Sequence, residues 1–523
     1  MATEAQVTGQ RLAVHDPATG ELLRELDRAT PDAVHAAVER ARAAQPAWAA
    51  LDLRRRLAIL QDFQRRLYEK RDAVAELISR EAGKPVTEAL LTEVLVALDA
   101  ARFFVENGYG LLHDEPVPHA NLIMKAKRGW LRREPYGVVA IISPWNYPFS
   151  IPATEVLAGL LAGNAVVLKP SEFTPLCALE LRDLMHAAGV PQDVFQVVIG
   201  EGPAGAALSS AAVDKLFFTG SVATGKRVAQ AAASRLLPVV LELGGKDPMI
   251  VLDDADVDVV SSAAVWGAFV NAGQACLSVE RCYVHRSLYD RFLDACVAKA
   301  GKLRVGGGLD PQTDVGPLIH ERQLQIVESH VQDARSRGAR VLVGGKRLAE
   351  LGPNFYAPTV VADVDHSMRV MREETFGPVL PIMPFDSEDE AVRLANDSDF
   401  GLAASVWTSK RSRGEALAAR IEAGTVMVND VIACFGISEA PHGGVKSSGI
   451  GRSHGRHGLE EMVRLKYVDS DLIPAMAKVW WFGYGPEFSR QMGGFLDFLF
   501  GHGFRRISGG LRSAGAFFRK GRL

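Results

Sequence analysis

Two α/β domains, each built on a parallel sheet, are predicted for this chain from three observations. Short apolar runs without polar alternation recur between Gly137 and Leu243, and again from Pro248 onward. Helical stretches and glycine or proline turns separate these runs. At 523 residues the chain exceeds what one hydrophobic core serves, so at least two domains are expected. Strands covered on both faces read as continuous apolar runs, and the covering helices supply the crossovers.

The elements follow in order. After a short extended lead, Leu53, Leu57, Leu60, Phe63 and Leu67 recur at helical spacing and predict an amphipathic helix. A second helical stretch is read from Pro85 to Glu106, and Glu81-Ala-Gly83-Lys-Pro85 between the two is a helix stop, glycine then proline. The polar, basic segment from Leu122 to Glu134 reads as an excursion from the core. Strands follow at Val138 to Ile142, Ala165 to Leu168, Val194 to Ile199, Lys215 to Thr219 and Val239 to Leu243. Helices from about Ala153 to Leu161 and Pro175 to Ala188 fall between the early ones. Crossovers of this kind build a nucleotide-binding domain whose ligand lies at the carboxyl ends of the strands. A second series opens at Pro248 to Leu252 and runs through Arg281 to His285 and Arg340 to Val343. Residues 462–470 read as a last strand.

Composition is that of an ordinary globular protein, 48% hydrophobic and 23% charged. A net charge of −3 gives no footprint for nucleic acid. The five cysteines (177, 276, 282, 296, 434) include no Cys-x-x-Cys pair and no metal-ligand spacing, which predicts free thiols, a reducing compartment and no metal. Met1-Ala-Thr-Glu-Ala-Gln does not read as a secretory signal, and no apolar stretch approaches the ~20 residues of a membrane span. A cytoplasmic location is expected.

Three residues suggest chemistry. Cys276 ends the run Asn271-Ala-Gly-Gln-Ala-Cys276, Glu242 closes the apolar run Val239-Val-Leu-Glu-Leu, and Asn146 stands in Ser143-Pro-Trp-Asn-Tyr-Pro. Nucleophile, base and oxyanion donor are the parts of acyl chemistry through a thioester. Each also has a plain structural alternative: a buried inert thiol, a paired carboxylate and a turn asparagine. Cys177, Cys282, Cys296 and Cys434 are assigned the inert reading, since nothing beside them suggests catalysis.

Taken together the motifs resemble the aldehyde dehydrogenase superfamily, over about residues 10–470. They are SPWNYP at 143–148, KPSE at 169–172, FTGSVATG at 218–225, LELGGK at 241–246, GQAC at 273–276, EETFGPV at 373–379 and PHGGVKSSGIGR at 441–452. The resemblance implies a Rossmann-type NAD-binding domain (1–119 and 137–245) and an α/β catalytic domain (246–446). It further implies a small β oligomerisation element (120–136 and 447–470) and a homodimer or homotetramer. Cys276 would attack an aldehyde, Asn146 and the Cys276 backbone N–H would hold the oxyanion, and Glu242 would activate water against the thioester. The same glutamate argues against a CoA-acylating enzyme. Lys169 and Glu172 would hold the adenine ribose, favouring NAD over NADP because a carboxylate repels a 2′-phosphate. Ile142, Trp145, Ser171 and Leu243 would complete the cofactor surface. Gly220, Ser221 and Gly225 would meet the pyrophosphate at a helix N-terminus. Glu374 and Phe376 would hold the nicotinamide ribose and ring. Tyr147, Ile151, Leu277 and His442 would line the substrate pocket. Glu155 departs from the family, many of whose members carry lysine there, and is read as a paired or solvated helix residue.

The aldehyde is expected to be a medium- or long-chain aliphatic one. A succinate-semialdehyde-type enzyme is the alternative, with Arg281 as a conceivable clamp, and a non-catalytic protein on the same fold is another. The substrate expectation rests on residues 471–523, outside the family pattern, which carry eight lysines and arginines against three acids. Eight of the 23 phenylalanines and Trp480-Trp481 also fall there. Phe488, Met492, Phe495, Leu496 and Leu499 make an apolar helical stripe that Gly493 and Gly494 should weaken. The segment reads as an amphipathic extension lying on a membrane surface, or packed on its own core or a neighbouring subunit.

Overall fold

The computed structural model of the chain describes residues 11–473, 478 and 480–513. It divides into two compact units. One takes in the chain up to His113 with Arg133–Arg464, the other Asp114–Arg132 with the chain from Leu465.

The first unit holds two sheets, each with its own core. The first sheet runs Gly449–Ile450, Val239–Glu242, Lys215–Thr219, Val138–Ile142, Ala165–Lys169, Phe195–Val197. Its five longer members are parallel, and Gly449–Ile450 closes one edge antiparallel to Leu241 and Glu242. Every residue of Val138–Ile142 and Ala165–Lys169 is buried, as unalternating runs require. So is every residue of the helix Ser150–Leu161, which follows Asn146.

The N-terminal part differs from the expectation. An antiparallel hairpin, Arg11–His15 with Leu22–Asp27, precedes a 19-residue helix, Pro31–Ala49. Alanines dominate that helix and blunt its apolar contrast, but Thr30 caps Ala33 N–H and Pro31 takes the first turn. The helix Leu53–Glu69 ends at Lys70, and a separate helix, Arg71–Ala82, runs to the stop at Gly83, where φ is 80°. The stretch beyond is broken by one π-helical segment, Leu90–Val94, between Val86–Ala89 and Leu95–Leu112. Such bulges collect at functional sites.

The second sheet has the order Arg340–Val343, Thr359–Ala362, Val379–Phe385, Val279–His285, Asp247–Val251, Ala403–Trp407, Thr425–Val428. Arg340–Val343 joins as an antiparallel edge strand, half-exposed, rather than as a member of the parallel series. Residues 447–464, grouped above with the oligomerisation element, instead edge the first sheet and send Leu459, Met462 and Val463 into its core.

A three-stranded sheet, in the order Val463–Asp471, Lys127–Pro135, Glu115–Val117, lies mostly in the second unit. Lys127 Nζ meets Asp469 Oδ2 at 2.7 Å and His119 Nε2 meets Tyr467 Oη at 2.7 Å across it. Beyond it, Pro486–Phe500 and Phe504–Ser513 form a helical hairpin. Gly494 is where the two backbones touch. A Cβ on Gly494 would sit 3.0 Å from Gly509 O, and one on Gly509 2.5 Å from Gly494 O. Residues 514–523, which carry three of the basic residues of the tail, lie outside the described residues.

Candidate active site

The helix Val257–Phe269 ends in a left-handed turn, Asn271 (φ 52°), Ala272 (φ 55°) and Gly273 (φ 72°), before Cys276 and the strand Val279–His285. Left-handed backbone at two non-glycine residues costs energy and persists only where its surroundings hold it. Here they do. Asn271 N–H donates to Glu88 Oε2 at 2.9 Å, and Asn271 Nδ2 donates to Asn146 O at 2.9 Å. Gln274 Oε1 accepts from Ile319 N–H at 2.9 Å. A Cβ on Gly273 would stand 2.2 Å from Gly377 O, so only glycine fits. Cys276 is the one cysteine of the five that is not fully buried.

Asn146 is joined to the same loop. Its Nδ2 donates to Gln274 O at 3.1 Å, while its own carbonyl accepts from Lys84 Nζ at 2.8 Å. Lys84 in turn pairs with Glu93 on the π-helical segment and stands 4.0 Å from the centre of the Tyr147 ring. Lys84 and Glu93 had no signal beyond a helix stop and a polar residue in an apolar helix. They are functional support that the sequence analysis missed.

Glu242 closes its strand beside this loop. Gly245, three residues on, passes so near that a Cβ there would lie 2.4 Å from Cys276 O. Glu242 Oε1 accepts from Ser453 Oγ at 3.2 Å, His442 Nε2 lies 3.9 Å from Oε2, and Oε2 has no hydrogen-bond partner. Burial first, then the neighbouring Glu155, holds the Glu242 carboxyl well above the carboxylate range. Burial, followed by Asp247, Glu374 and Glu242, likewise pushes the Cys276 thiol up. The expectation for Glu155 is corrected. It is buried, not solvated, and no ion pair reaches it among the described residues.

The remaining expected positions gather at the carboxyl ends of the first sheet. Ser143 follows Ile142 at the end of its strand, and its buried Oγ has no partner. Lys169 is buried, with Nζ donating to Pro170 O at 2.7 Å and lying 3.8 Å from Glu172 Oε2. Ser171 Oγ accepts from Phe173 N–H. Ser221 caps the helix Val222–Ala233, and Leu243 packs on Gly225, where a Cβ would come within 2.5 Å of Leu243 Cδ2. Trp145 meets Phe376 edge-on at 5.3 Å and His320 at 6.0 Å, with Phe173 4.5 Å beyond His320. Glu374 Oε1 accepts from Gly245 N–H at 3.0 Å, and burial lifts its carboxyl to about 8. Phe376 (φ 51°) is held by residues the sequence did not flag. Its N–H donates to Glu280 Oε1 at 2.9 Å and its carbonyl accepts from Gln323 Nε2 at 2.9 Å, while Lys246 pairs with Glu280. A helix N-terminus, a buried ammonium with donors to spare, and an unpartnered hydroxyl fit a dinucleotide with phosphates and ribose hydroxyls.

A cavity of about 430 Å³ leads to Cys276. Tyr147, Ile151 and Leu277 line it together with Val270, Ile432 and Phe435, and the π-helical segment supplies Leu91 and Thr92. His442 is not on that wall. It stands beside Phe435, ring centres 5.2 Å apart, and next to Glu242. Arg281 does not face the cavity either. Its buried guanidinium donates to Lys246 O, Leu394 O and Ala395 O, which makes it a structural strand residue.

With this geometry in hand, comparison with known proteins is decisive. The profile of the aldehyde dehydrogenase family matches residues 3–468. The chain belongs to that family. It is 41% identical over 495 residues to a 4,4'-diapolycopene aldehyde oxidase of Methylomonas sp, covering 94% of this chain and 91% of that protein. It is 40% identical over 465 residues to a putative NADP-dependent succinate-semialdehyde dehydrogenase of Mycolicibacterium smegmatis, covering 89% and 88%. The NAD complex of a Bacillus cereus aldehyde dehydrogenase superposes with a TM-score of 0.85 at 36% identity, covering 88% of this chain and 94% of that one. An NAD-dependent aldehyde dehydrogenase of Sinorhizobium meliloti gives 0.87 at 36% identity, covering 92% and 95%. The protein is therefore an aldehyde dehydrogenase, and the reading as a non-catalytic protein is set aside.

Proposed function

We propose that this aldehyde dehydrogenase oxidises medium- or long-chain aliphatic aldehydes to carboxylates, with Cys276, Asn146 and Glu242 in the roles given above. The observation that carries the substrate class is the cavity wall. It is made mostly of aliphatic and aromatic side chains, with Thr92 and Asp99 as polar members besides Cys276, and among the described residues no lysine, arginine or histidine lines it. A succinate semialdehyde would bring a second carboxylate, whose burial without a cation is costly. Leu91, Leu95 and Trp266 on the same wall remain exposed, which continues the apolar surface outward for a longer chain.

In this reading Cys276 gives its proton to solvent and adds as thiolate to the carbonyl carbon. The Asn146 side-chain amide and the Cys276 backbone N–H stabilise the alkoxide, each such donor being worth ~10²–10³ in turnover. Lys169, Ser221, Glu374 and Phe376 hold the cofactor, which supplies the hydride acceptor when bound. Glu242 then takes a proton from water, the resulting hydroxide adds to the thioester, and the carboxylate leaves as Cys276 is freed.

The second unit supports uptake at a lipid surface. No helix of the described residues is long and apolar enough to cross a membrane. The hairpin nevertheless exposes Phe500 (74%) and Phe504 (80%) beside Arg505 and Arg506, and Trp481 and Phe482 precede it, also exposed. Aromatic and cationic residues on one short helical element fit the interface of an anionic bilayer. Assembly as a homodimer or homotetramer is proposed through the outer strand Val463–Asp471, which exposes Leu465 and Tyr467. NADH formation measured across saturated aldehydes of increasing length, with succinate semialdehyde alongside, tests the substrate class. kcat/KM should climb with chain length, and a preference for succinate semialdehyde would overturn it.

A further inference from the structure

Glu155 is a buried carboxyl that the reaction just described does not use. It sits on the helix Ser150–Leu161, which is buried on all sides. Thr219 Oγ1 lies 3.5 Å from its Oε1, and its Oε2 has no partner. Thr219 is also the residue opposite Glu242 across the parallel strands. Thr219 thus neighbours both residues, by its hydroxyl on Glu155 and by strand register with Glu242, and each carboxyl has one oxygen unsatisfied. A glutamine in either place would avoid the cost of burying an acid, so a purely structural role does not account for the pair.

The charges around it are few. Near Glu242 are Ser453, His442, Arg452 and Cys276, and His454 lies behind His442. Arg452 is engaged with Gly444 O and Gly451 O. Burial holds His442 down to about 4 and His454 to about 3, so both imidazoles are neutral. On the elements packed against the Glu155 helix, Glu93 pairs with Lys84 and accepts from Ser150 N–H. Arg56 donates to Leu161 O at the far end, and Asp99, Arg102, Glu106, Arg456 and Glu460 form surface pairs. Lys169 is bound at Pro170 O. No cation among the described residues reaches Glu155.

Two carboxylates in one dry site do not both ionise readily, and their protons leave in coupled steps. We propose that Glu155 is a positioning residue for thioester hydrolysis: it forms with Glu242 a carboxyl pair that carries one negative charge, and it sets the pH above which Glu242 accepts a proton from water. The proposal rests on the hydrolytic role of Glu242 given above. In the balanced step, water loses a proton to the Glu242 carboxylate and its oxygen bonds to the thioester carbon. The C–S bond then breaks, and the second proton of the pair departs to solvent before the next turnover. Burial lifts the Glu155 carboxyl to about 8, and its charge in turn raises Glu242.

The test uses the full-length enzyme with NAD and decanal. Acyl-enzyme decay is followed by acid quench across pH, alongside the burst of NADH. Glu155→Gln and Glu155→Leu both remove the second acid, and Leu suits the apolar surroundings should Gln fail to fold. Either is expected to move the acid limb of decay to lower pH by about one unit, because the one charge of the pair then resides on Glu242 alone instead of being shared with Glu155. The burst should keep its parental pH dependence. A limb that stays put or moves upward in the folded variants overturns the proposal, even if the rate falls at every pH. Glu242→Gln separates the two ideas. A burst followed by a stalled phase upholds the hydrolytic reading, whereas normal decay in that variant defeats the role of Glu242 itself.

Discussion

Lys84 and Glu93 form an ion pair of 2.6 Å in which neither side chain reaches solvent. The same ammonium donates to Asn146 O, and the same carboxylate accepts from the N–H groups of Phe149 and Ser150. The pair therefore fixes both Asn146 and the start of the helix Ser150–Leu161.

Removing one partner leaves a buried charge uncompensated, which typically costs ~3–5 kcal/mol. Lys84→Met is expected to lower the urea midpoint accordingly and to reduce kcat through a displaced Asn146. Glu93→Gln, which keeps one acceptor for Phe149 and Ser150, should cost less. Equal midpoints for parent and Lys84→Met would show that the pair has no such weight.

Cys276→Ala is expected to abolish NADH formation while leaving NAD affinity unchanged, since the cofactor-holding residues lie on other segments. Isothermal titration and turnover assays read the two separately. Turnover comparable with the parent would move the nucleophile elsewhere.

The strands of the first sheet were legible because Val138–Ile142 and its neighbours are buried on both faces, and such runs leave no ambiguity of period. The helix Pro31–Ala49 was not, because alanine is apolar and small on either face. The motif residues around Cys276, Asn146 and Glu242 were legible from type and order. Their supports were not, because Lys84, Glu93, Glu280 and Gln323 reach the site only through tertiary contact. Glu155 was visible as a departure, but its place beside Thr219, the strand neighbour of Glu242, is set by tertiary contact.

The pH dependence follows from directions. Cys276 and Glu242 are both held above their ordinary values, chiefly by burial. Each is active as its deprotonated form, so raising pH populates both active forms. Steady-state kcat should therefore rise between about pH 6 and about pH 9, in the absence of unfolding. A profile that falls over this range would contradict both shifts.

We propose that cofactor choice rests on Glu172, which stands 3.8 Å from Lys169 and is partly exposed. Its carboxylate would repel a 2′-phosphate and accept from ribose hydroxyls. Glu172→Gln should raise kcat/KM with NADP and lower it with NAD, narrowing the ratio by about tenfold for each ~1.4 kcal/mol lost. An unchanged ratio would place the discrimination at another residue.

The helical hairpin of the second unit offers the sharpest test of lipid contact. Its two helices touch through Gly494 and Gly509, and Arg512 meets Asp497 at 2.6 Å, so the hairpin is held by small residues and an ion pair. The aromatic rings of Phe500 and Phe504 take no part in that contact and are largely exposed. Replacing both by serine therefore removes apolar surface without undoing the hairpin, which truncation after Ser470 cannot claim. Each ring gives up roughly 1.5–3 kcal/mol of insertion free energy when it stays in water. The double variant should lose flotation with vesicles containing anionic lipid and lose activity on long aldehydes presented in those vesicles. Short, water-soluble aldehydes should be oxidised at the parental rate, because the cavity leading to Cys276 is unaltered. Raised salt should weaken binding of the parent through Arg505 and Arg506. Should the double variant float as the parent does, the exposed aromatic face is not what meets lipid. Truncation after Ser470 would then show whether any part of the extension does.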